Sequence, residues 1–393
     1  MAKRNTNYRD RLIRGISDED WLAFSKLKAA HNKEFPGQKV SMKRFFQLLN
    51  TYSPLVTQLF KLDPNYSAIQ SIGVNTALAL APLWIKNTSN NIATIKAGKD
   101  IKELRDMYKG KPALVIGAGP SLYDNSSGHP NHLELIKEYA ENFDGPILIA
   151  DRILEDCIKM ELGDYVCIVD GSHKIYDLFF NNDIVKAYND ISEYEHDSWG
   201  NSWKKQESDK SKFDMKAVMA TSVNEEVMNV WKKEAYYFVP SIPQEILPNA
   251  TSIMCDFTQC SDLNAGGNCG MLAWNMAAFM GCTEIGMVGM DLSYKISTPI
   301  EETQSYQSYL NQLGEENVHQ AFSTGYNKFF DTPYRLDHVY STFVTTALVW
   351  LKAFRDRGIC TTFNCTEGGA VHGKGIEQMY LKDFLEKHSS KSR

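Results

Sequence analysis

An α/β fold with a mainly parallel sheet is predicted by three observations. Seven short apolar runs recur along the chain: Ala113–Ile116, Ile147–Ala150, Tyr165–Val169, Ala217–Ala220, Tyr236–Val239, Ile285–Val288 and Cys360–Phe363. Stretches with helical spacing separate them, as crossovers between parallel strands require. Several of the runs end in glycines or aspartates, where such a sheet presents its ligand crevice. The expected architecture is Rossmann-like, with helices on both faces of the sheet. A small helical region precedes it.

The first run is the most informative. Pro112-Ala-Leu-Val-Ile116 reads as a buried strand that breaks at once into Gly117-Ala118-Gly119-Pro120-Ser121-Leu122. Glycines let the backbone turn tightly and approach a ligand, and backbone N–H groups at such an edge favour phosphate. Leu122 stands where the dinucleotide fingerprint needs its third glycine, so the loop predicts a nucleotide site of another kind. Ile147-Leu-Ile-Ala150 ends in Asp151-Arg152, and the next strand ends in Asp170-Gly-Ser172. Asn264-Ala-Gly266-Gly267-Asn268-Cys-Gly270 opens an apolar helix over Met271 to Met280 and again offers N–H groups to an anion. That helix leads to a strand ending in Val288-Gly-Met-Asp291, followed by Tyr294. Each aspartate has a plainer use as a cap of a turn or helix. Their joint occurrence at strand ends is what points to a site.

Composition sets limits. The 393 residues carry a net charge of −6, which argues against a nucleic-acid surface covering the whole protein. No signal peptide is expected at the polar start Met1-Ala-Lys-Arg4, and the longest apolar stretch, Ile72 to Ile85, is too short to span a bilayer. A cytoplasmic protein with no membrane span is expected. Eight cysteines form no C-x-x-C pair, which predicts reduced, mostly buried thiols and no zinc site.

Three regions are expected: a basic N-terminal module over 1–52, a helical lead-in over 53–110, and a nucleotide-binding transferase domain over 111–385. The first fifty residues hold eleven Lys or Arg against five Asp or Glu. Their strand, capping box at Ser17-Asp-Glu-Asp20, helix, turn and second helix are similar to the ribbon-helix-helix pattern of small repressors. DNA binding by this module stays open beside a docking or homodimerisation role. Two polar segments, Glu193 to Asp214 and Ile296 to Asp331, interrupt the sheet pattern as lids or plain insertions.

Four ordered motifs carry a family resemblance. They are Gly117-Ala-Gly-Pro-Ser-Leu122, Gly266-Gly-Asn-Cys-Gly270, Val288-Gly-Met-Asp291-Leu292 and Phe363-Asn-Cys-Thr366-Glu367-Gly-Gly-Ala370. Together they resemble the 6-hydroxymethylpterin diphosphokinase MptE-like family, which includes archaeal pterin diphosphokinases and motility-associated-factor flagellin glycosyltransferases. The resemblance runs over about residues 65–385.

It implies two activities. One is transfer of a nonulosonic, sialic-acid-like sugar from a CMP-sugar to a hydroxyl of a glycan or protein acceptor, with no metal required. On that branch His338 matches the general base of related bacterial sialyltransferases, since imidazole is suited to accept a hydroxyl proton. His319, His173 and His372 are weaker candidates. Gly119, Ser121, Gly266 and Gly267 would hold phosphate. Asn268, Asp151 and Asp170 would position ribose or base, Thr366 and Glu367 would complete the pocket or meet the sugar, and Gly117, Pro120, Leu122 and Asn264 would also belong to the nucleotide site. Asp291 and Tyr294 would assist the chemistry. The other activity is pyrophosphate transfer from ATP to a pterin alcohol, with Mg²⁺ held by Asp170 and Asp291. A non-catalytic nucleotide- or DNA-binding module is the third reading. Cys269, where relatives carry a small aliphatic residue, is expected to be neutral packing.

Overall fold

The computed structural model describes residues 80, 82–172, 174–189, 194–196, 202–204, 213–242 and 249–390. The chain divides into two compact units, Met1–Ser67 and Ala68–Arg393. The described residues belong to the second. The basic module over 1–52, its ribbon-helix-helix pattern and His173 therefore lie outside the described residues.

In chain order the first strands are β1 (Lys99–Asp100), β2 (Pro112–Ile116), β3 (Ile147–Ala150) and β4 (Tyr165–Ile168). A separate antiparallel pair follows, β5 (Tyr194–His196) and β6 (Ser202–Lys204). Then come β7 (Lys216–Ala220), β8 (Ala235–Pro240), β9 (Asp262–Leu263) and β10 (Glu284–Val288). The last are β11 (Tyr294–Lys295), β12 (Phe322–Asn327), β13 (Thr332–Asp337), β14 (Thr361–Asn364) and β15 (Glu377–Gln378).

Ten strands make one parallel sheet in the order β1-β8-β7-β4-β3-β2-β10-β14-β15, with β9 also on β8. All seven predicted runs are strands of it. Consecutive residues of β2, β3, β4 and β10 are buried, so both faces of the sheet are covered. The Cys269–Phe279 helix lies against β2, β3 and β4. Its residues from Gly270 to Ala278 are all buried, which explains a helix apolar on every side. The indole of Trp274 donates to Thr362 Oγ1 at 3.0 Å and ties the helix to β14. On β10, Gly286 leaves room for the ring of Phe384, which a Cβ there would approach to 2.6 Å.

Strand order reverses between β2 and β10. From β2 the chain proceeds to β3 on one side; from β10 it proceeds to β14 on the other. The loops leaving these two strands at their carboxyl ends frame the crevice where open α/β sheets bind ligands.

Three features depart from expectation. The sheet starts before Lys111, because Lys99–Asp100 pairs with Tyr236 and Tyr237. The helix over 82–90 is stitched to the sheet. Asn87 Nδ2 donates to Gly171 O at 2.9 Å and Ser222 O at 3.0 Å, and Asn91 Nδ2 donates to Thr221 O and Val223 O. The segment Ile296 to Asp331 is ordered structure: it contains the Tyr306–Leu313 helix and β12 of a small antiparallel sheet, β11-β13-β12. None of the eight cysteines is in a disulfide, and six are buried. No helix among the described residues is long and apolar enough to cross a membrane.

Candidate functional site

The loops after β2 and β10 are laced together. Gly117 N–H donates to Val288 O and Gly119 N–H to Gly289 O, both at 2.8 Å. Ser121, buried in the short helical turn Pro120–Tyr123, donates its hydroxyl to Asp291 Oδ2 at 2.7 Å. The glycines are needed because Asp291 comes so close. A Cβ on Gly119 would sit 1.8 Å from Asp291 Oδ2, and one on Gly117 would sit 2.3 Å from Gly289 O. Asp291 follows Gly289 (φ +63) and precedes Leu292, itself left-handed at φ +43. A sharp turn thus delivers the carboxylate. From the far side Ala370 N–H donates to Asp291 O at 2.9 Å. Burial pushes the Asp291 carboxyl up to about 6, against the hydrogen bonds from Ser121.

A second buried carboxylate stands two strands away. Asp151, at the end of β3, is pushed up to about 6 by burial, opposed by the Cys269 contact and by the neighbouring Arg152. The charge of Asp170, at the end of β4, adds to the upward push. Cys269 Sγ lies 3.2 Å from Asp151 Oδ2. Burial and this carboxylate hold the thiol well above its usual range, so the thiol donates to the carboxylate. Cys269 is therefore a polar partner of Asp151 rather than neutral packing.

The Gly266–Asn268 loop supplies the next wall. Gly266 (φ +67) and Gly267 (φ +91) need the left-handed conformation. Asn264 Oδ1 accepts from Gly266 N–H, and Asn268 Oδ1 caps the helix at Met271 N–H. Asn268 Nδ2 is buried and has no hydrogen-bond partner. Such an orphan donor is costly unless a ligand oxygen meets it.

The start of the His338–Asp356 helix closes the crevice. Asp337, buried at its N-cap, accepts from Tyr340 N–H at 2.7 Å and from Tyr294 OH at 3.1 Å. Burial pushes the Tyr340 phenol up, as do the charges of Asp337 and Asp291, while Arg152 draws it down. Tyr340 thus feels the Asp337 and Asp291 carboxylates and the Arg152 guanidinium together. The exposed Arg152 side chain has no ion pair within 4 Å among the described residues.

The structure redistributes several predicted roles. The Gly117 and Gly119 amides are spent on β10 and are not free for phosphate. Pro120 opens the turn, and Leu122 is core. Thr366 is buried; its hydroxyl accepts from Met290 N–H and so braces the β10 loop rather than lining the crevice. Glu367, left-handed at φ +59, accepts from Leu381 N–H and Ser126 Oγ and faces His132, which makes it a clamp between segments. Tyr294 is committed to Asp337. Asn264 and Asp170 lie exposed and half-buried, Asp170 accepting from Ser172 N–H. His338 is exposed on the first helical turn, its ring 6.1 Å from that of Tyr309. His319 is exposed, and His372 Nε2 meets Tyr334 OH at 2.9 Å.

Asp170 and Asp291, the pair expected to hold magnesium, follow strands that are three places apart in the sheet, about 14 Å at the usual strand spacing. No group of three or more His, Cys, Asp or Glu able to hold a metal comes together among the described residues. Arg152 and Tyr340 escaped the sequence reading. Arg152 was legible as the cation beside the β3 aspartate. Tyr340 needed the packing of a helix that starts over 180 residues later in the chain.

The fold and site define a class: an α/β protein with a crevice at the strand-order reversal, framed by two buried carboxylates, an exposed guanidinium with no ion pair among the described residues and a buried amide without a hydrogen-bond partner. The 6-hydroxymethylpterin diphosphokinase MptE-like family matches residues 86–297, more than half of the chain, and the protein belongs to that family. Among solved structures it is similar to the MAf glycosyltransferase from Magnetospirillum magneticum AMB-1, with 12% identity and a TM-score of 0.48. That similarity covers 75% of this chain and 38% of the other. No curated protein matches.

Proposed function

We propose that this protein is a nucleotide-dependent transferase of glycosyltransferase type, moving a nonulosonic sugar from a CMP-sugar to a hydroxyl acceptor. The observation that carries the reading is the convergence of unmet donors and a near-neutral base. Arg152, exposed just after β3 with no ion pair among the described residues, and Asn268 Nδ2, buried without a partner at the Gly266–Asn268 loop, offer a cation and an N–H, a set suited to a nucleoside monophosphate. Asp291, held near pH 6 by burial, is suited to accept the proton of an attacking hydroxyl. In the step the acceptor oxygen bonds to the anomeric carbon, the bond to the phosphate oxygen breaks, CMP leaves and the proton passes to the base. His338, exposed at the crevice wall, is the second candidate for that base.

Pyrophosphate transfer from ATP is the second reading, and the family description favours it. The three-strand spacing between the ends that carry Asp170 and Asp291 weighs against these two carboxylates as a shared magnesium site.

Calorimetric titration with CMP, CTP, ADP and ATP, each with and without Mg²⁺, tests both. CMP or CTP binding without metal is expected. Arg152→Gln should weaken it at least about tenfold without lowering the unfolding temperature. Preference for Mg²⁺–ATP would replace the sugar-transfer reading with the second one. Binding of none of the four would leave the non-catalytic reading in its place.

A further inference from the structure

We propose that His132 is a positioning residue that locks three motifs of the crevice to one another. It opens the His132–Ala140 helix and is 1% exposed. Nδ1 lies 2.6 Å from the carbonyl oxygen of Ser121, the residue whose hydroxyl holds Asp291. Nε2 is buried without a hydrogen-bond partner, and the nearest acidic group is Glu367 Oε2 at 3.6 Å. The other Glu367 oxygen is taken by Leu381 N–H at 3.0 Å and Ser126 Oγ at 3.2 Å.

One imidazole thus joins the loop after β2 to the loop after β14, and the first of these carries Ser121 to Asp291 on the loop after β10. A carbonyl oxygen can only accept, so Nδ1 carries a proton. The other ring nitrogen, Nε2, faces the Glu367 carboxylate. Lysine or arginine could not replace it, because neither offers two donors on opposite edges of a compact ring. Phenylalanine would fill the volume but offer no donor to either neighbour, leaving the Ser121 carbonyl with Asp124 N–H alone and Glu367 with Leu381 N–H and Ser126 Oγ alone. The role rests on the reading of Asp291 as the reacting group, but the test needs neither substrate nor turnover.

Two isosteres separate the two contacts. The amide nitrogen of Asn reaches the place of Nδ1, and that of Gln the place of Nε2. Hydrogen exchange of the full-length protein, followed by mass spectrometry, reads the two loops separately. His132→Asn should leave residues 117–122 protected and raise exchange in 365–370 by roughly tenfold, the size expected for losing the approach of Nε2 to the Glu367 carboxylate. His132→Gln should do the reverse. Equal loosening of both loops in both variants, or of neither, would reduce His132 to packing and overturn the proposal. If the variants do not fold, ¹⁵N NMR of the wild-type ring decides: a proton on Nδ1 supports the lock, and a bare Nδ1 ends it.

Discussion

At the residue scale the decisive feature is a carboxylate kept where water cannot solvate it. Asp291 ionises in the unfolded chain near 3.8 and in the folded protein near 6. The folded state therefore holds the proton more tightly. As pH rises from about 4 to 6, the unfolded state releases its proton first and stability falls; above 6 the whole penalty is present. The shift corresponds to about 3 kcal/mol at most. Asp151 has the same sign and cause. Asp291→Asn, which keeps the shape and an acceptor for Ser121, should raise the unfolding temperature at pH 7.5 and leave it near wild type at pH 4. Turnover should be lost. Thermal unfolding at the two pH values checks this; a variant less stable at both would show that the carboxylate is a structural anchor instead. A stabilising change that abolishes activity is the usual mark of a group kept for function.

At the element scale, the strands and the long helices were legible because their signals are local. Contiguous apolar runs announced β2, β3, β4, β7, β8, β10 and β14 within a residue or two of their ends. The two-residue strands β1, β9 and β15 carry no pattern of their own and exist through their neighbours. The site was legible in part. Asp151, Asp291, Ser121 and the Gly266–Asn268 loop sit at strand or helix ends, where sequence alone places a crevice. What each does was not legible. That Gly119 makes room for a carboxylate and not for phosphate depends on Asp291 in the loop after β10, far along the chain. The lead-in helix shows the same limit. Asn87 reads as an ordinary polar residue, yet its amide bridges the loops after β4 and β7. Asn87→Ala should cost about 1–3 kcal/mol, because two buried carbonyls lose their donor. Denaturant unfolding measures the loss. Exchange in residues 221–224 should rise with it. Unchanged midpoints would show that water replaces the amide and that the helix only rests on the sheet.

At the scale of the whole molecule, every described residue that lines the crevice belongs to the unit Ala68–Arg393. Its loops come from β2, β3, β4, β10 and β14 and its wall from the His338–Asp356 helix, so a span of some 250 residues must close before the site exists. That dependence on long-range pairing predicts cooperative behaviour: the site and the sheet should be lost together. It also predicts that the first unit is dispensable for nucleotide binding. Protein beginning at residue 68 should unfold in one transition and bind the same nucleotides with affinities within about threefold of the full chain, since none of the groups named for the nucleotide lies before it. The eleven basic residues of the first fifty would go with the removed part. If that part binds DNA, the full chain should bind duplex with an affinity that falls steeply with salt, and the shortened chain should not. Calorimetry and a salt series on the two proteins decide both points. Loss of nucleotide affinity on shortening would mean that the first unit supplies part of the site, and the crevice described by the second unit would then be incomplete by itself.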